Sequence, residues 1–213
     1  MNTEELPLFP LSAVLLPGGR VPLQIFEPRY LDLVSRCMKT DTGFGIVRIT
    51  SGHEVIIAQG ATPPATAEIG TLARIVDWDA LPAGRLRITV EGSRRCRVAT
   101  TRVQGDGLLW GEVQWLAEPA SGPVADEHLF LQDIMCGLAE HPALTRLGVC
   151  GSWADSASLS WALAQYLPLE ETERYAMLAE SEPPARLAYL DRLEPAFQGS
   201  VTLPDYLAPG LES

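Results

Sequence analysis

Lysine is almost missing from this 213-residue chain, with Lys39 its only copy. The consequence is chemical. No G-x-x-x-x-G-K-[ST] run exists, so P-loop nucleotide hydrolysis is excluded by residue type. No G-x-G-x-x-G follows an expected strand, and no serine sits in a G-x-S-x-G elbow. The histidines, His53, His128 and His141, are scattered without a partner at i+4, which leaves a helical zinc site unsupported. The cysteines, Cys37, Cys96, Cys136 and Cys150, form no C-x-x-C pair, so zinc-ribbon and thioredoxin readings fall away. Apolar runs are cut by proline, glycine or charge well short of the ~20 residues a membrane span needs. The acidic opening Met1-Asn2-Thr3-Glu4-Glu5 lacks the basic and apolar regions of a signal peptide. These absences predict a cytoplasmic location, reduced thiols, no membrane contact, no metal and no cofactor. Cys96, alternating with polar neighbours, reads as a core residue.

What is present is unevenly spread. Residues 1–118 carry 12 basic and 13 acidic side chains, whereas residues 119–213 carry 4 and 14. The near-neutral first part and acidic second part predict two structural units. The overall charge of −11 opposes general nucleic-acid binding, which needs a basic footprint.

Residues 1–118 read as β structure, with strands expected at Ser12–Leu16, Val21–Ile25, Phe44–Ile49, Thr71–Trp78 and Leu108–Leu116. The alternation in Arg85-Leu86-Arg87-Ile88-Thr89-Val90-Glu91 is the clearest. Arg95-Cys96-Arg97-Val98 follows it, and a hairpin with the three-residue loop Gly92-Ser93-Arg94 keeps both apolar faces together. Seven or so strands with one apolar face each suit a closed or nearly closed barrel. One helix is inserted: Pro28 fits its first turn, Leu31, Val34 and Met38 recur at helical spacing, and Thr40-Asp41-Thr42-Gly43 stops it.

The stretch Glu118-Pro119-Ala120-Ser121-Gly122-Pro123 predicts a boundary. Beyond it, Leu131, Ile134, Met135 and Leu138 mark a helix ending before His141-Pro142. Asp155-Ser156 caps a second, carrying Leu159, Leu163, Tyr166 and Leu167. Glu170-Glu171-Thr172-Glu173 places negative charge at the start of a third, and Pro183-Pro184 opens a fourth with Leu187, Leu190, Leu193 and Phe197. The expected division is therefore α+β: strands over 1–118, an acidic helical bundle over 119–197, and an extended tail over 198–213.

Residues that could carry chemistry have plainer readings beside them. Arg85, Arg87, Arg94, Arg95, Arg97 and Arg102 gather near one expected hairpin. They form either a basic stripe for RNA or, as the lack of interleaved aromatics favours, a solvated outer face. The dense carboxylates of the second part read as a solvated surface. A Ser-His-Asp triad assembles in space rather than in sequence, so a cryptic hydrolase stays an alternative.

Several short motifs carry a resemblance: Leu6-Pro7-Leu8-Phe9-Pro10-Leu11, Leu15-Leu16-Pro17-Gly18-Gly19, and Val21-Pro22-Leu23-Gln24-Ile25-Phe26-Glu27-Pro28-Arg29-Tyr30. Phe44-Gly45-Ile46-Val47, Gly70 through Ile75, Gly84-Arg85-Leu86, Val90-Glu91-Gly92, Arg95 through Val98 and Leu163 through Leu169 extend it. Together, over roughly residues 5–196, these resemble the N-terminal, substrate-binding domain of Lon proteases, above all the free-standing bacterial proteins built from that domain. The resemblance implies a PUA-like β-barrel with one inserted helix and a small C-terminal helical bundle. It implies binding of unfolded or exposed apolar polypeptide, in protein quality control or as an adaptor, with a Lon-type protease as a further partner. It does not carry over catalysis, since the ATPase and peptidase residue patterns are missing. An apolar groove between barrel and bundle is the expected site. Phe26, Arg29, Tyr30, Leu16 and Trp78 are its candidates, with Arg29 to hold a peptide carboxylate or carbonyl. The plainer reading of Phe26 and Tyr30 is as core anchors. RNA binding and a cryptic hydrolase remain the alternatives, and the oligomeric state stays open.

Overall fold

The computed structural model describes residues 3–52, 63–193, 203, 204 and 207. His53, Phe197 and most of the expected tail lie outside the described residues. Among the described residues six strands and six α-helices follow in order: β1 (Glu4–Leu11), β2 (Arg20–Ile25), α1 (Pro28–Thr40), β3 (Phe44–Ser51), β4 (Ala65–Ala80), β5 (Leu86–Val103), β6 (Leu109–Trp115), α2 (Leu129–Ala139), α3 (Pro142–Arg146), α4 (Ser156–Tyr166), α5 (Glu171–Ala179) and α6 (Pro183–Leu193). The sheet is mixed, ordered β2-β5-β4-β3-β1-β6, and β6 also pairs with β5. Hydrogen bonding therefore runs round five strands, β1-β3-β4-β5-β6, and back to β1. Only β1 and β3 are parallel.

Proline placement follows from which strand edges are used. Pro7 lies where β1 pairs with β6 alone, and Pro10 where it pairs with β3 alone. Pro22 sits in β2, whose only ladder is with β5. Each missing N–H therefore falls where the strand has one neighbour, as a ladder requires. The expected strand at Ser12–Leu16 does not form; those residues are a loop ending in a turn with Gly18 at φ 73°.

The expected hairpin at Gly92-Ser93-Arg94 is overturned. Residues 86–103 make one strand, β5, which pairs with β4 along most of its length. Its first half also pairs with β2 and its second half with β6. The polar break is a bulge: the register with β4 shifts between Thr71–Arg95 and Ala73–Gly92. A bulge bends a long strand without reversing it and resets its alternation, so the pattern mimics a loop. Cys96 is buried, as expected, in a cluster with Leu6, Leu8, Val47, Leu109 and Val113, and burial pushes its thiol to about 11.

Helix α1 starts at Pro28 and ends at Asp41, which takes φ 51° and donates its N–H to the Cys37 carbonyl. Its buried stripe is Tyr30, Leu33, Val34 and Cys37, packed with Phe9, Phe44, Ile88 and Val90. That stripe is turned from the expected Leu31, Val34 and Met38. Tyr30 stacks on Phe9 at 4.2 Å between ring centroids and sets the phase, leaving Met38 42% exposed.

After residue 118 the chain is helical. The linker is pinned to the start of α4: Asp155 accepts from the Ser158 amide and the Ser121 hydroxyl, and Ser156 donates to the Gly122 carbonyl at 2.9 Å. Five helices form here rather than four, because His141, whose ring accepts from the Ala143 amide at 3.2 Å, begins the short α3. α4 is central and buried nearly all round, with α2, α5 and α6 against it. Leu207, in the expected tail, is buried in the same cluster.

The strand and helix parts meet across a filled, hydrogen-bonded seam. Val14 and Leu16 of the 12–19 loop sit in the helical core. The Leu16 amide donates to Gln165 Oε1 at 2.8 Å, and the Arg20 amide donates to the Tyr166 hydroxyl at 2.9 Å. Thr71 and Gly92 hold the loop's other side: Thr71 donates to the Leu15 carbonyl at 2.7 Å, and the Gly92 carbonyl accepts from Gly18 at 2.8 Å. A Cβ on Gly92 would collide with the Leu16 carbonyl. Arg95, fully buried, reaches from β5 to the Leu178 carbonyl at 2.8 Å and to Glu118 at 2.7 Å. The expected outer face for all six β5-region arginines is therefore wrong for Arg95.

Candidate functional site

The five candidate residues part company. Leu16 is 0% exposed inside the helical core, and Tyr30 is 5% exposed against Phe9. Arg29 is structural: its Nη1 donates to the Gly107 carbonyl at 2.9 Å, its Nη2 lies 2.7 Å from Glu27, and its guanidinium lies 4.6 Å from the Tyr30 ring centroid. It therefore ties the start of α1 to the turn before β6. Phe26 and Trp78 stay on the surface, 52% and 54% exposed. Phe26 follows β2 immediately before α1, where the chain leaves the sheet.

A groove between strands and helices was the expected site, and the seam described above fills it. Among the described residues an open groove lies elsewhere, between the end of α1 and the second half of β4. It holds about 200 Å³ and is lined by Cys37, Met38, Asp41 and Thr42 on one side and residues 74–78 on the other. Met38, Val76 and Trp78 expose apolar surface there. At its floor, burial raises the Cys37 thiol pKa, and the thiol donates weakly to the Gly43 carbonyl at 3.7 Å. A raised pKa disfavours the thiolate and so weakens this thiol as a nucleophile. The Trp78 amide donates to Asp77 Oδ1 at 2.9 Å.

Sequence reading assigned Met38 to the core and passed over Val76. A signal for Val76 existed. Arg74-Ile75-Val76-Asp77-Trp78 puts apolar residues on both parities of a strand, and a strand buried on one face cannot hide both. For Met38 the signal lay in the phase of the Tyr30, Leu33, Val34, Cys37 stripe, from which it is displaced by about 100°.

Other chemistry does not assemble among the described residues. No group of three His, Cys, Asp or Glu could hold a metal there. His128 faces Glu127 at 3.7 Å and Asp191 at 3.9 Å, His141 begins a helix, and neither ring bonds a serine. The surface arginines of β5 are partly neutralised: Arg97 pairs with Glu68 and Arg102 with Glu5. Aromatics from β6 meet two of them in space, with Arg94 4.5 Å from the Trp115 centroid and Arg102 5.7 Å from that of Trp110.

The relatives of this chain agree with its architecture. A Lon N-terminal domain protein from Xanthomonas campestris, solved by crystallography, is 35% identical and superposes with a TM-score of 0.70, covering 89% of this chain and 98% of its own. The N-terminal domain of a Mycobacterium avium complex Lon protease shares the fold at 16% identity and a TM-score of 0.57, over 92% of this chain and 100% of that one. Among curated proteins, cereblon of Danio rerio is 27% identical over 67% of this chain, and the Lon protease of Trichlorobacter lovleyi is 25% identical over 89%. The matched region spans only 30% and 24% of those two proteins. Residues 5–193 match the family described as the ATP-dependent protease La (LON) substrate-binding domain, and to that family this chain belongs.

Proposed function

We propose that this chain is a non-enzymatic polypeptide-binding module that takes up unfolded or exposed apolar segments at the groove of Met38, Val76 and Trp78. The observation that carries the reading is that groove: three apolar side chains left open in a chain whose other large apolar residues are mostly buried. Contiguous exposed apolar surface on an otherwise well-packed protein marks a binding site. Family membership supplies the ligand class, a polypeptide substrate. The five-strand ring is read as a PUA-like barrel, and a role in cytoplasmic protein quality control, as an adaptor or beside a Lon-type protease, fits that ligand. RNA binding is disfavoured by the acidic balance and by the ion pairs of Arg97 and Arg102.

The test is fluorescence anisotropy with a permanently unfolded, reduced and carboxymethylated model protein. Replacing Met38 and Trp78 together by alanine is expected to weaken binding more than about tenfold, since a buried tryptophan contact is commonly a hot spot. Unchanged affinity in that variant, or no binding by the unaltered chain at low salt, overturns the proposal.

A further inference from the structure

The groove has a property beyond its apolar lining. β3 is antiparallel to β4, and their ladder stops at Phe44–Ala73. Just before it, a Cβ on Gly43 would collide with the Ala73 carbonyl, so the chain leaves α1 pressed against β4 at that point. Beyond Ala73, β4 continues for seven residues, Arg74–Ala80, paired only with β5 among the described residues. One edge of that stretch is thus a row of backbone donors and acceptors without a strand beside it, flanked by the groove. An open edge is a template for another extended chain unless it is blunted. Here the edge is blunted at two points, a bulge at Val76 where the β4–β5 register shifts between Ile75 and Asp77, and the Asp77 carboxylate, which accepts from the Trp78 amide; the rest of the stretch stays open.

We infer that the occupant binds by strand addition: an extended polypeptide segment continues the line of β3 along Arg74–Ala80, its apolar side chains on Met38, Val76 and Trp78. The inference rests on the polypeptide-binding reading and specifies its mode. Backbone bonds supply affinity without regard to sequence, and the apolar side chains beside them supply the selection. Charge selects further. Arg74, Asp41 and Asp77 all line the groove, and Glu91, opposite Arg74 on the β4–β5 ladder, is paired with Arg20 instead. Among the described residues none of these three is in an ion pair, so two carboxylates against one guanidinium leave the lining net acidic. The preferred segment therefore carries lysine or arginine between its apolar residues.

The probe is a labelled nine-residue peptide alternating valine with lysine, titrated into the full chain. Two further versions carry N-methyl groups on one or the other set of alternate backbone amides. Methylating the set that faces β4 is expected to cost about tenfold or more in affinity, and the other set little, because only one edge of the peptide would bond to the protein. A second arm compares Trp78→Pro with Trp78→Ala. Both remove the indole, but proline also removes the edge donor, so it is expected to bind several-fold more weakly than alanine. Asp41→Asn with Asp77→Asn keeps the hydrogen-bond acceptors and is expected to lose affinity for the lysine peptide about two- to fivefold, with no change for a glutamine version. Equal binding of all three peptide backbones overturns strand addition even if Trp78→Pro does not fold. In that case Trp78→Ala still weakens binding, and the groove reading survives. Absence of binding by any polypeptide overturns both. A dimer that Val76→Lys dissociates assigns the edge to a second copy and overturns the inference.

Discussion

The seam between strands and helices buries polar side chains, whereas the groove at the end of α1 exposes apolar ones. Gln165, Arg95 and Thr71 are fully buried in the seam. Met38, Val76 and Trp78 are each more than 40% exposed at the groove. The usual inside–outside rule is inverted at both places, and each inversion has a cause. Polar groups go inside where a loop must be held between two units and its backbone cannot bond to itself. Apolar groups stay outside where a partner is still to come. The first region is fixed by bonds already made; the second is left with bonds to make.

The strongest way to break this comparison is at Arg95. Its guanidinium bonds the Leu178 carbonyl, approaches the Glu180 carbonyl at 3.2 Å, and pairs with Glu118. Arg186 lies beside it, its own guanidinium 3.5 Å from the Trp161 centroid and its pKa lowered to about 10, by burial first and Arg95 second. Arg95→Ala strands the Leu178 carbonyl, leaves Glu118 without its partner and opens a void, and is expected to cost about 3–5 kcal/mol in chemical denaturation. A loss below about 1 kcal/mol would show that Arg95 is not what holds the two units together.

A smaller effect sharpens the same contrast through pH. Glu171 accepts from the Val14 amide at 2.8 Å, tying the 12–19 loop to α5. Burial raises its pKa above the ordinary value, against the pull of nearby Arg174 and the Val14 bond. Between the unfolded and raised values the folded state holds more protons, so stability falls as pH rises through that window. Glu171→Gln keeps an acceptor for Val14 and removes the titration. Its denaturation midpoint is expected to decline less over the same window than that of the unaltered chain. Identical pH profiles would remove Glu171 as the source.

How much of this was legible in the sequence depends on distance along the chain. Local rules placed α1 at Pro28, α4 at Asp155 and α5 at Glu170, because caps and prolines act on their own turn. They misread Gly92-Ser93-Arg94, because a bulge and a loop share small and polar residues and only the partner strand tells them apart. The seam was out of reach. Leu16 and Gln165 are 149 residues apart, and nothing in either segment announces the other. Hence Leu16, apolar beside a turn, read as a surface candidate, and Arg95 read as a solvated arginine. At the groove, Trp78 stood among the candidates for an apolar site, while Met38 was lost to a helical phase that depended on the Tyr30–Phe9 stack.

The smallest expected effect tests the other half of the contrast. If the groove awaits a partner, its side chains contribute little to folding. Trp78 is 54% exposed, its hydrogen bond to Asp77 is made by its backbone, and it lies at the end of β4 beyond the reach of β3. Trp78→Ala is therefore expected to change unfolding free energy by no more than about 0.5 kcal/mol, the range of surface substitutions away from special features. The same substitution removes the largest apolar contact offered to a ligand. Folding and binding should thus separate at Trp78. A large fall in stability there would make the indole a structural anchor and return the groove to the packed interior, and the open side of the comparison would close.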